Sequence, residues 1–233
     1  MTFEFFTPAH IIVGAEALSK AAVHWRQKGK KALVVTDEMM VSLGNAARVT
    51  NALQQNGVAC EVFSGINGEP TDVMVEAGLA AYQQNGCDFL IGLGGGSALD
   101  AMKAIAALSV NGGKITDYMG KEISGRMPSM TAIPTTAGTG SEATQFTIIN
   151  DTRNHVKMLL KGRGLIPELA VIDPQFTLSA PPKITASTGM DAFTHAAEAY
   201  TSRKASKLSD TFALSAFCLL YTSPSPRDRS VSR

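Results

Sequence analysis

The stretch from Phe89 to Lys103, FLIGLGGGSALDAMK, decides the fold. It starts as a short apolar run typical of a buried strand, passes through glycines and ends in a helical pattern. Such a turn leaves the N–H groups of Gly95, Gly96 and Ser97 facing outward at a helix N-terminus, where aligned donors and the helix dipole stabilise a pyrophosphate. Glycine matters because a side chain would block that approach. The stretch favours a nucleotide-binding domain, and the competing interpretation is a merely tight strand-to-helix turn.

The rest of the chain repeats this alternation of strand and helix. The strand-like runs are KALVVTD (31–37), VACEVFSG (58–65), CDFLIGL (87–93), MTAIPTT (130–136) and ELAVIDP (168–174), with helical patterns through 49–57, 73–86 and 98–108. Two further runs, 145–151 and 155–162, flank a DTRN turn and predict a hairpin. The alternation predicts an α/β fold with a parallel sheet and helices on both faces. From Pro181 onward the patterns 183–202 and 205–217 predict the opening helices of a second, all-helical region.

Composition places the chain among globular proteins with a full core. The 233 residues are 45% hydrophobic with a formal net charge of +1, which gives no electrostatic footprint for nucleic acid. One basic cluster, Arg26 with Lys28, Lys30 and Lys31, is interpreted as a solvated helix end before a strand. No apolar run reaches the ~20 residues that span a bilayer, and MTFEFFTPAH is not a secretory signal. We therefore expect a soluble, cytoplasmic protein with neither a membrane nor a nucleic-acid partner.

A second glycine-rich stretch, AIPTTAGTGSEAT (132–144), follows another predicted strand. Its hydroxyl side chains, Thr135, Thr136, Thr139 and Ser141, form a surface suited to phosphate, ribose or amide groups. Two such loops after strands of one parallel sheet converge at its carboxyl edge, where dinucleotides bind. Together the two loops favour a dinucleotide site.

The order of the motifs departs from the usual dinucleotide fold. There the glycine loop follows the first strand and an acid that binds the ribose ends the second. Here Asp37 ends KALVVTD well before the glycine loop, which indicates a variant nucleotide fold. Asp37 is expected to accept hydrogen bonds from the adenosine ribose if its strand lies beside the loop, and the alternative role is to cap the following helix.

The segment GMDAFTHAAEAY (189–200) sets Asp191 and His195 four positions apart on what we expect to be a mostly buried helix. Residues separated by four lie on one helix face, so this oxygen and nitrogen can bind one divalent ion, for which Fe(II), Zn, Mn or Co is suitable. The competing interpretation is an Asp that interacts with a core His. Glu198 is a candidate third ligand, although we favour a solvated or supporting role for it.

Four motifs in this order, GLGGGSALDAMK, AIPTTAGTGSE, VIDP with Pro181 and Pro182, and TGMDAFTHAAEAY, closely resemble those of the iron-containing (group III) alcohol dehydrogenases. The resemblance runs from about Phe5 to Ala216. It implies a dinucleotide-binding α/β domain over 1–181, followed over 182–220 by the first helices of a metal-binding helical domain. It also implies that the metal lies in the cleft between these domains.

The resemblance assigns roles to residues at matching positions. Asp191 and His195 match the first two metal ligands, with Fe(II) favoured and Zn as the other candidate. Asp37 matches the acid that selects NAD over NADP. The other positions lining the cofactor site are Gly94, Gly95, Gly96, Ser97, Thr135, Thr136, Thr139, Lys157 and Leu178. The implied activity is oxidation of a small primary alcohol or diol, or reduction of an aldehyde, by a protein that forms homo-oligomers at full length.

The end of the chain departs from the family pattern. Members supply two further histidine ligands from later helices, and His10, His24 and His155 match neither. Residues 221–233, YTSPSPRDRSVSR, are dominated by Ser, Pro and Arg and are expected to be a disordered or artefactual tail on a C-terminally truncated chain. The alternatives are a glycerol dehydrogenase-like or dehydroquinate synthase-like enzyme of the same superfamily, a non-catalytic nucleotide-binding module, or an unstable fragment.

Overall fold

The structure, a computed structural model, describes residues 2–222. The strands are β1 (His10–Val13), β2 (Lys31–Val35), β3 (Ala59–Phe63), β4 (Phe89–Gly94), β5 (Met130–Pro134), β6 (Phe146–Asp151), β7 (Val156–Lys161) and β8 (Leu169–Ile172). The helices are α1 (Ala17–Trp25), α2 (Glu38–Ser42), α3 (Asn45–Gln55), α4 (Asp72–Gln84), α5 (Gly96–Asn111), α6 (Pro182–Thr201) and α7 (Lys207–Thr222). Of the predicted tail, Tyr221 and Thr222 belong to the last turn of α7, and 223–233 lie outside the described residues.

Six strands form one parallel sheet in the order β1-β8-β5-β4-β2-β3. The predicted parallel sheet is therefore confirmed. Strands β6 and β7 form a separate antiparallel pair around a turn in which the Asp151 side chain accepts hydrogen bonds from the N–H groups of Arg153 and Asn154, as the DTRN signal predicts. Because all six sheet strands run in the same direction, their carboxyl ends lie at one edge.

The two faces of the sheet are covered by different helices. Along β2, Ala32 and Val34 face one core cluster and Leu33 and Val35 face another, because neighbouring side chains on a strand point to opposite faces. The first cluster, the α3 face, includes buried residues of α1 and α3. The second cluster, the α5 face, includes buried residues of α4 and α5 and of the β6–β7 hairpin. Helices on both faces are therefore confirmed.

The first strand and first helix were not among the predicted elements. Strand β1 pairs in parallel with β8, with His10 opposite Leu169, and α1 buries Trp25 completely. The indole Nε1 donates to Thr131 Oγ1 at 3.1 Å, which satisfies the polar group of this buried ring. The basic cluster does lie between a helix end and a strand, since α1 ends at Trp25 and β2 starts at Lys31.

The described chain divides into two compact units. The sheet unit comprises residues 6–135 and 141–179, and the helical unit comprises residues 2–5, 136–140 and 180–222. In the helical unit, α6 packs on α7 with the rings of Phe193 and Phe217 edge to face at 5.0 Å. The expectation of a mostly buried metal helix is wrong: Ala196 alone in α6 is buried, because α7 and the loop at Gly138 pack on the helix without enclosing it. Within residues 2–222 no helix has the length and apolar character needed to cross a membrane.

Candidate functional site

The glycine loop joins β4, a central strand of the sheet, to α5. Strand β4 ends at Gly94, and α5 begins at Gly96 after Gly95, whose position at the helix N-cap brings no side-chain cap. Gly94 has φ +151°, and a Cβ there would lie 2.8 Å from the Cβ of Ala98. Only glycine tolerates this conformation and this close approach of helix to strand. The N–H groups of the first turn of α5 therefore remain for a ligand.

Asp37 follows β2, the strand that lies directly beside β4. Its Oδ1 accepts from Met40 N at 2.8 Å, so the capping role that sequence left open is confirmed for α2. Its other oxygen, Oδ2, would be 3.4 Å from a Cβ built on Gly94. The carboxylate therefore caps one helix and also borders the glycine loop. A contact between Asp37 and the adenosine ribose requires that β2 lie beside the strand that ends in the glycine loop, and it does. Hydrogen bonding of Asp37 to the ribose stays a prediction.

The hydroxyl-rich loop is shared between the two units. Thr135 belongs to the sheet unit, is buried, and donates its N–H to Gly94 O at 2.9 Å. Thr136 and Thr139 belong to the helical unit. There a Cβ on Gly138 would lie 2.6 Å from Thr188 O of α6, so the loop rests directly on that helix. The sequence suggested hydroxyl chemistry for this loop, but it did not reveal that Gly138 is needed for close packing on α6.

A buried polar network, absent from the residues predicted for the site, connects α5 to the chain after this loop. The fully buried Lys103 donates to Thr144 O at 3.0 Å and to Phe146 O at 2.8 Å. Asp100 accepts from Ser141 Oγ at 2.5 Å and from Ile148 N at 2.9 Å. These contacts hold the hairpin on α5. The available signal was the pair of charges three residues apart on a helix otherwise rich in Ala.

Burial sets the ionisation of this network. Removal from water raises the pKa of Asp100 and of Glu142, and it lowers the pKa of Lys103 to about 8. The Asp100 carboxylate opposes the shift of Lys103, because an opposite charge favours the ammonium form. Hydrogen bonds and the nearby Asp100 carboxylate therefore stabilise the Lys103 ammonium, whereas the loss of its hydration destabilises it.

Lys103 should make stability depend on pH in the alkaline range. Its pKa is about 8 in the folded chain against 10.5 for a free lysine, so between these values the unfolded chain binds more protons and stability rises with pH. Relative to Lys103→Met, the wild-type chain should gain about 2 kcal/mol of unfolding free energy from pH 8 to pH 10.5. Urea unfolding at several pH values measures this, with Lys20→Met at an exposed lysine as the control. A difference that does not change with pH would contradict the assignment.

The remaining cofactor candidates in the sheet unit are Lys157 and Leu178. Lys157 lies on β7 with its side chain 56% exposed, and its Nζ contacts Glu69 Oε1 at 2.7 Å. Leu178 follows β8 and is 81% exposed. Sequence reasoning singled out Lys157 but not Glu69, its partner 88 residues earlier in the chain.

The candidate metal ligands lie on α6 as the spacing predicts. Asp191 Oδ1 and His195 Nε2 are 3.8 Å apart, beyond hydrogen-bonding distance, and both side chains are about half exposed. Glu198 is exposed on the same helix. Residues 2–222 contain no group of three or more His, Cys, Asp or Glu side chains that could hold a metal ion. The oxygen and nitrogen donors thus fit a divalent metal in kind, while two ligands are too few to hold it tightly.

The three other histidines take no part in this pair. His10 and His24 pack edge to face with ring centroids 4.8 Å apart in the sheet unit. His155 lies at the hairpin turn with φ +54°, a conformation uncommon for residues other than glycine. The structure thus gathers Asp37, the glycine loop and Thr135 in the sheet unit, and Thr136, Thr139, Asp191 and His195 in the helical unit.

Comparisons with known proteins agree with this arrangement of motifs. The family model described as iron-containing alcohol dehydrogenase matches residues 8–174, and that of the C-terminal part of the same family matches 185–224, beyond the Ala216 limit of the sequence resemblance. The NAD-dependent methanol dehydrogenase of Bacillus methanolicus is 37% identical over 218 residues, which cover 93% of this chain and 57% of that protein.

Two solved structures also match the chain. The crystal structure of a 1,3-propanediol oxidoreductase has a TM-score of 0.92 at 33% identity, covering 94% of this chain and 58% of that one. Sulfoacetaldehyde reductase from Bifidobacterium kashiwanohense, in complex with NAD+, has a TM-score of 0.86 at 32% identity, covering 95% and 59%. The chain spans about three fifths of the length of these relatives. A family match over most of its residues, in ranges that include the glycine loop, the hydroxyl loop and the Asp-His helix, establishes that the chain belongs to the iron-containing alcohol dehydrogenases.

Proposed function

We propose that this sequence belongs to a metal-dependent, NAD-linked alcohol dehydrogenase that transfers hydride between nicotinamide and a small primary alcohol or diol, or in reverse to an aldehyde. The observation that carries the proposal is the position of the Asp37 carboxylate beside the uncapped N-terminus of α5, at the carboxyl edge of a parallel sheet. The methanol dehydrogenase and propanediol oxidoreductase relatives support this substrate class. The proposal extends to the protein at full length, where we expect a homo-oligomer.

Residues of the sheet unit bind and orient the cofactor. The N–H groups at Gly95, Gly96 and Ser97 donate to the pyrophosphate, which the dipole of α5 also stabilises. The Asp37 carboxylate accepts hydrogen bonds from the hydroxyls of the adenosine ribose. Thr135 of the same unit donates to the cofactor through its hydroxyl group, and Leu178 supplies an apolar contact. The hydroxyls of Thr136 and Thr139, which belong to the helical unit, stay predicted cofactor contacts.

Asp191 and His195 supply one oxygen and one nitrogen ligand to the metal, for which Fe(II) is the favoured ion and Zn the alternative. When bound, a divalent metal acts as a Lewis acid on the substrate oxygen. His195 binds the metal through a ring nitrogen that carries no proton. Because both side chains are half exposed, water has access to the pair in this chain.

Asp37 should make the protein prefer NAD(H) to NADP(H), because a carboxylate at the ribose repels a 2′-phosphate. Asp37→Asn keeps an oxygen that can accept from Met40 N and removes only the charge, so α2 retains its cap. The variant should narrow the preference by about tenfold, which corresponds to about 1.4 kcal/mol. Titration of NADH and NADPH fluorescence measures both affinities. Equal affinities in the wild-type chain would refute the assigned role of Asp37.

A further inference from the structure

An ion pair lies near the carboxyl edge of the sheet, which Asp37 also borders. Asp37 leads into α2, whose buried Met40 belongs to the α3 face of the sheet. The hairpin packs on the α5 face through Ile149, Met158 and Leu160. Lys157 on this hairpin contacts Glu69, which follows the carboxyl end of β3. The two carboxylates, Asp37 and Glu69, therefore lie toward opposite faces at the same edge of the sheet.

The hairpin is fixed to α5 close to the glycine loop. The N–H of Ile148 donates to Asp100 Oδ2 at 2.9 Å, and Asp100 is four residues after Gly96. Asn150 lies two residues further along the same face of β6 and is paired directly with Lys157 of β7. The ion pair is thus held at a short distance from the first turns of α5.

Both partners of the ion pair face an open hollow. Glu69 Oε1 contacts Lys157 Nζ at 2.7 Å, and Glu69 Oε2 accepts from Asn150 Nδ2 at 2.9 Å, so both carboxylate oxygens are oriented. The hollow has a volume of about 480 Å³ and is also lined by Asp151, Thr152, His155 and Val156. Its volume is within the range of small-molecule sites. Glu69 and Lys157 are more than half exposed, so a ligand in the hollow can reach both charges.

We propose that Glu69 sets the preference of the cofactor site for the oxidised over the reduced nicotinamide. The inference rests on the proposed function, in which the pyrophosphate binds at α5 and the adenosine ribose at Asp37. The other half of the dinucleotide then extends toward the α5 face and the hollow beside Glu69 and Lys157. NAD+ carries one positive charge more than NADH, on the nicotinamide ring. The Glu69 carboxylate attracts that charge and offsets its repulsion by the Lys157 ammonium.

The test compares binding of NAD+ and NADH to the 233-residue chain by calorimetry. Both forms carry the same pyrophosphate, so the ratio of their dissociation constants isolates the charge of the nicotinamide. Glu69→Gln should raise the ratio of the NAD+ to the NADH dissociation constant by about threefold to tenfold, the effect of one unit charge through a partly solvated separation. Lys157→Met should lower the ratio. Both changes should shrink in high salt.

Glu61→Gln is the matched control, because Glu61 forms a similar pair with Lys31 at 2.9 Å but lies within β3 rather than after its carboxyl end. The ratio of the NAD+ to the NADH dissociation constant should stay at the wild-type value in Glu61→Gln. The affinity of each variant for ADP-ribose, which lacks the nicotinamide, reports any general change at the pyrophosphate. If Glu69→Gln still binds NADH but leaves the ratio of the NAD+ to the NADH dissociation constant unchanged, the inference about Glu69 is wrong and the proposed function stands. Failure of the wild-type chain to bind either form would contradict the proposed function and the inference with it.

Discussion

Gly96→Val is expected to abolish NADH binding while the chain still folds. Gly96 is the first residue of α5, and the preceding Gly95 provides no side-chain cap, so the N–H groups of this turn are the donors for the pyrophosphate. A branched side chain there would keep the pyrophosphate from two or more of them. Charge-assisted hydrogen bonds contribute about 1.5–3 kcal/mol each, so the loss in affinity should exceed about 100-fold.

The measurement is titration of NADH fluorescence, accompanied by circular dichroism to verify folding. Gly189→Val introduces the same side chain on α6, where a Cβ meets no atom within 4 Å, and it should bind NADH as the wild type does. If Gly96→Val bound NADH with unchanged affinity, the glycine loop would be only a tight turn from β4 to α5.

His195→Ala should remove most of the bound metal and nearly all turnover when this sequence is carried in a chain of its relatives' full length. Even residues that only support metal ligands change affinity by 10–100-fold, so loss of a ligand should reduce metal affinity by about 100-fold or more. NADH binding should persist, because the glycine loop and Asp37 belong to the sheet unit and His195 to the helical unit.

Glu198→Ala is the control for this variant, since Glu198 is exposed on the same helix, three residues after His195. Metal content by elemental analysis and NADH affinity are measured on the same samples. Loss of metal in Glu198→Ala would make Glu198 a ligand. In the 233-residue chain His195→Ala should change metal content little, because an ion held by only two protein ligands exchanges freely with the solvent. A stoichiometric, chelator-resistant metal in this chain would contradict the interpretation that Asp191 and His195 are half of a four-ligand site.

Local sequence patterns predicted the elements whose signals are strong within a few residues. KALVVTD became β2, and the DTRN turn joined β6 to β7, because apolar runs and turn residues specify these structures locally. Strand β1 is only four residues long, at the edge of the sheet, and three of its four side chains are exposed. Its continuous apolar run, Ile11 to Val13, is shorter than the roughly four to eight residues that indicate a strand. Its strand conformation depends on pairing with β8, which the local sequence does not contain.

The sequence predicted which residues belong to the candidate site better than it predicted which of them lie close together. The spacing of Asp191 and His195 placed both on one face of α6, since a helix turns once in 3.6 residues. The proximity of Asp37 to Gly94 follows from strand order, which brings β2 beside β4 although β3 separates them in sequence. The contacts of Lys103 and Glu69 join residues 41 and 88 positions apart, and no local pattern encodes them.

Alcohol-dependent formation of NADH by the full-length protein, before and after metal removal, tests the proposed activity most directly. The untreated protein should reduce NAD+ with a small primary alcohol or diol. Chelation should abolish turnover while NADH binding, measured on the same sample, is retained, and Fe(II) should restore turnover. Turnover that survives complete metal removal, or NAD binding without turnover by the metal-loaded protein, would contradict a metal-dependent alcohol dehydrogenase.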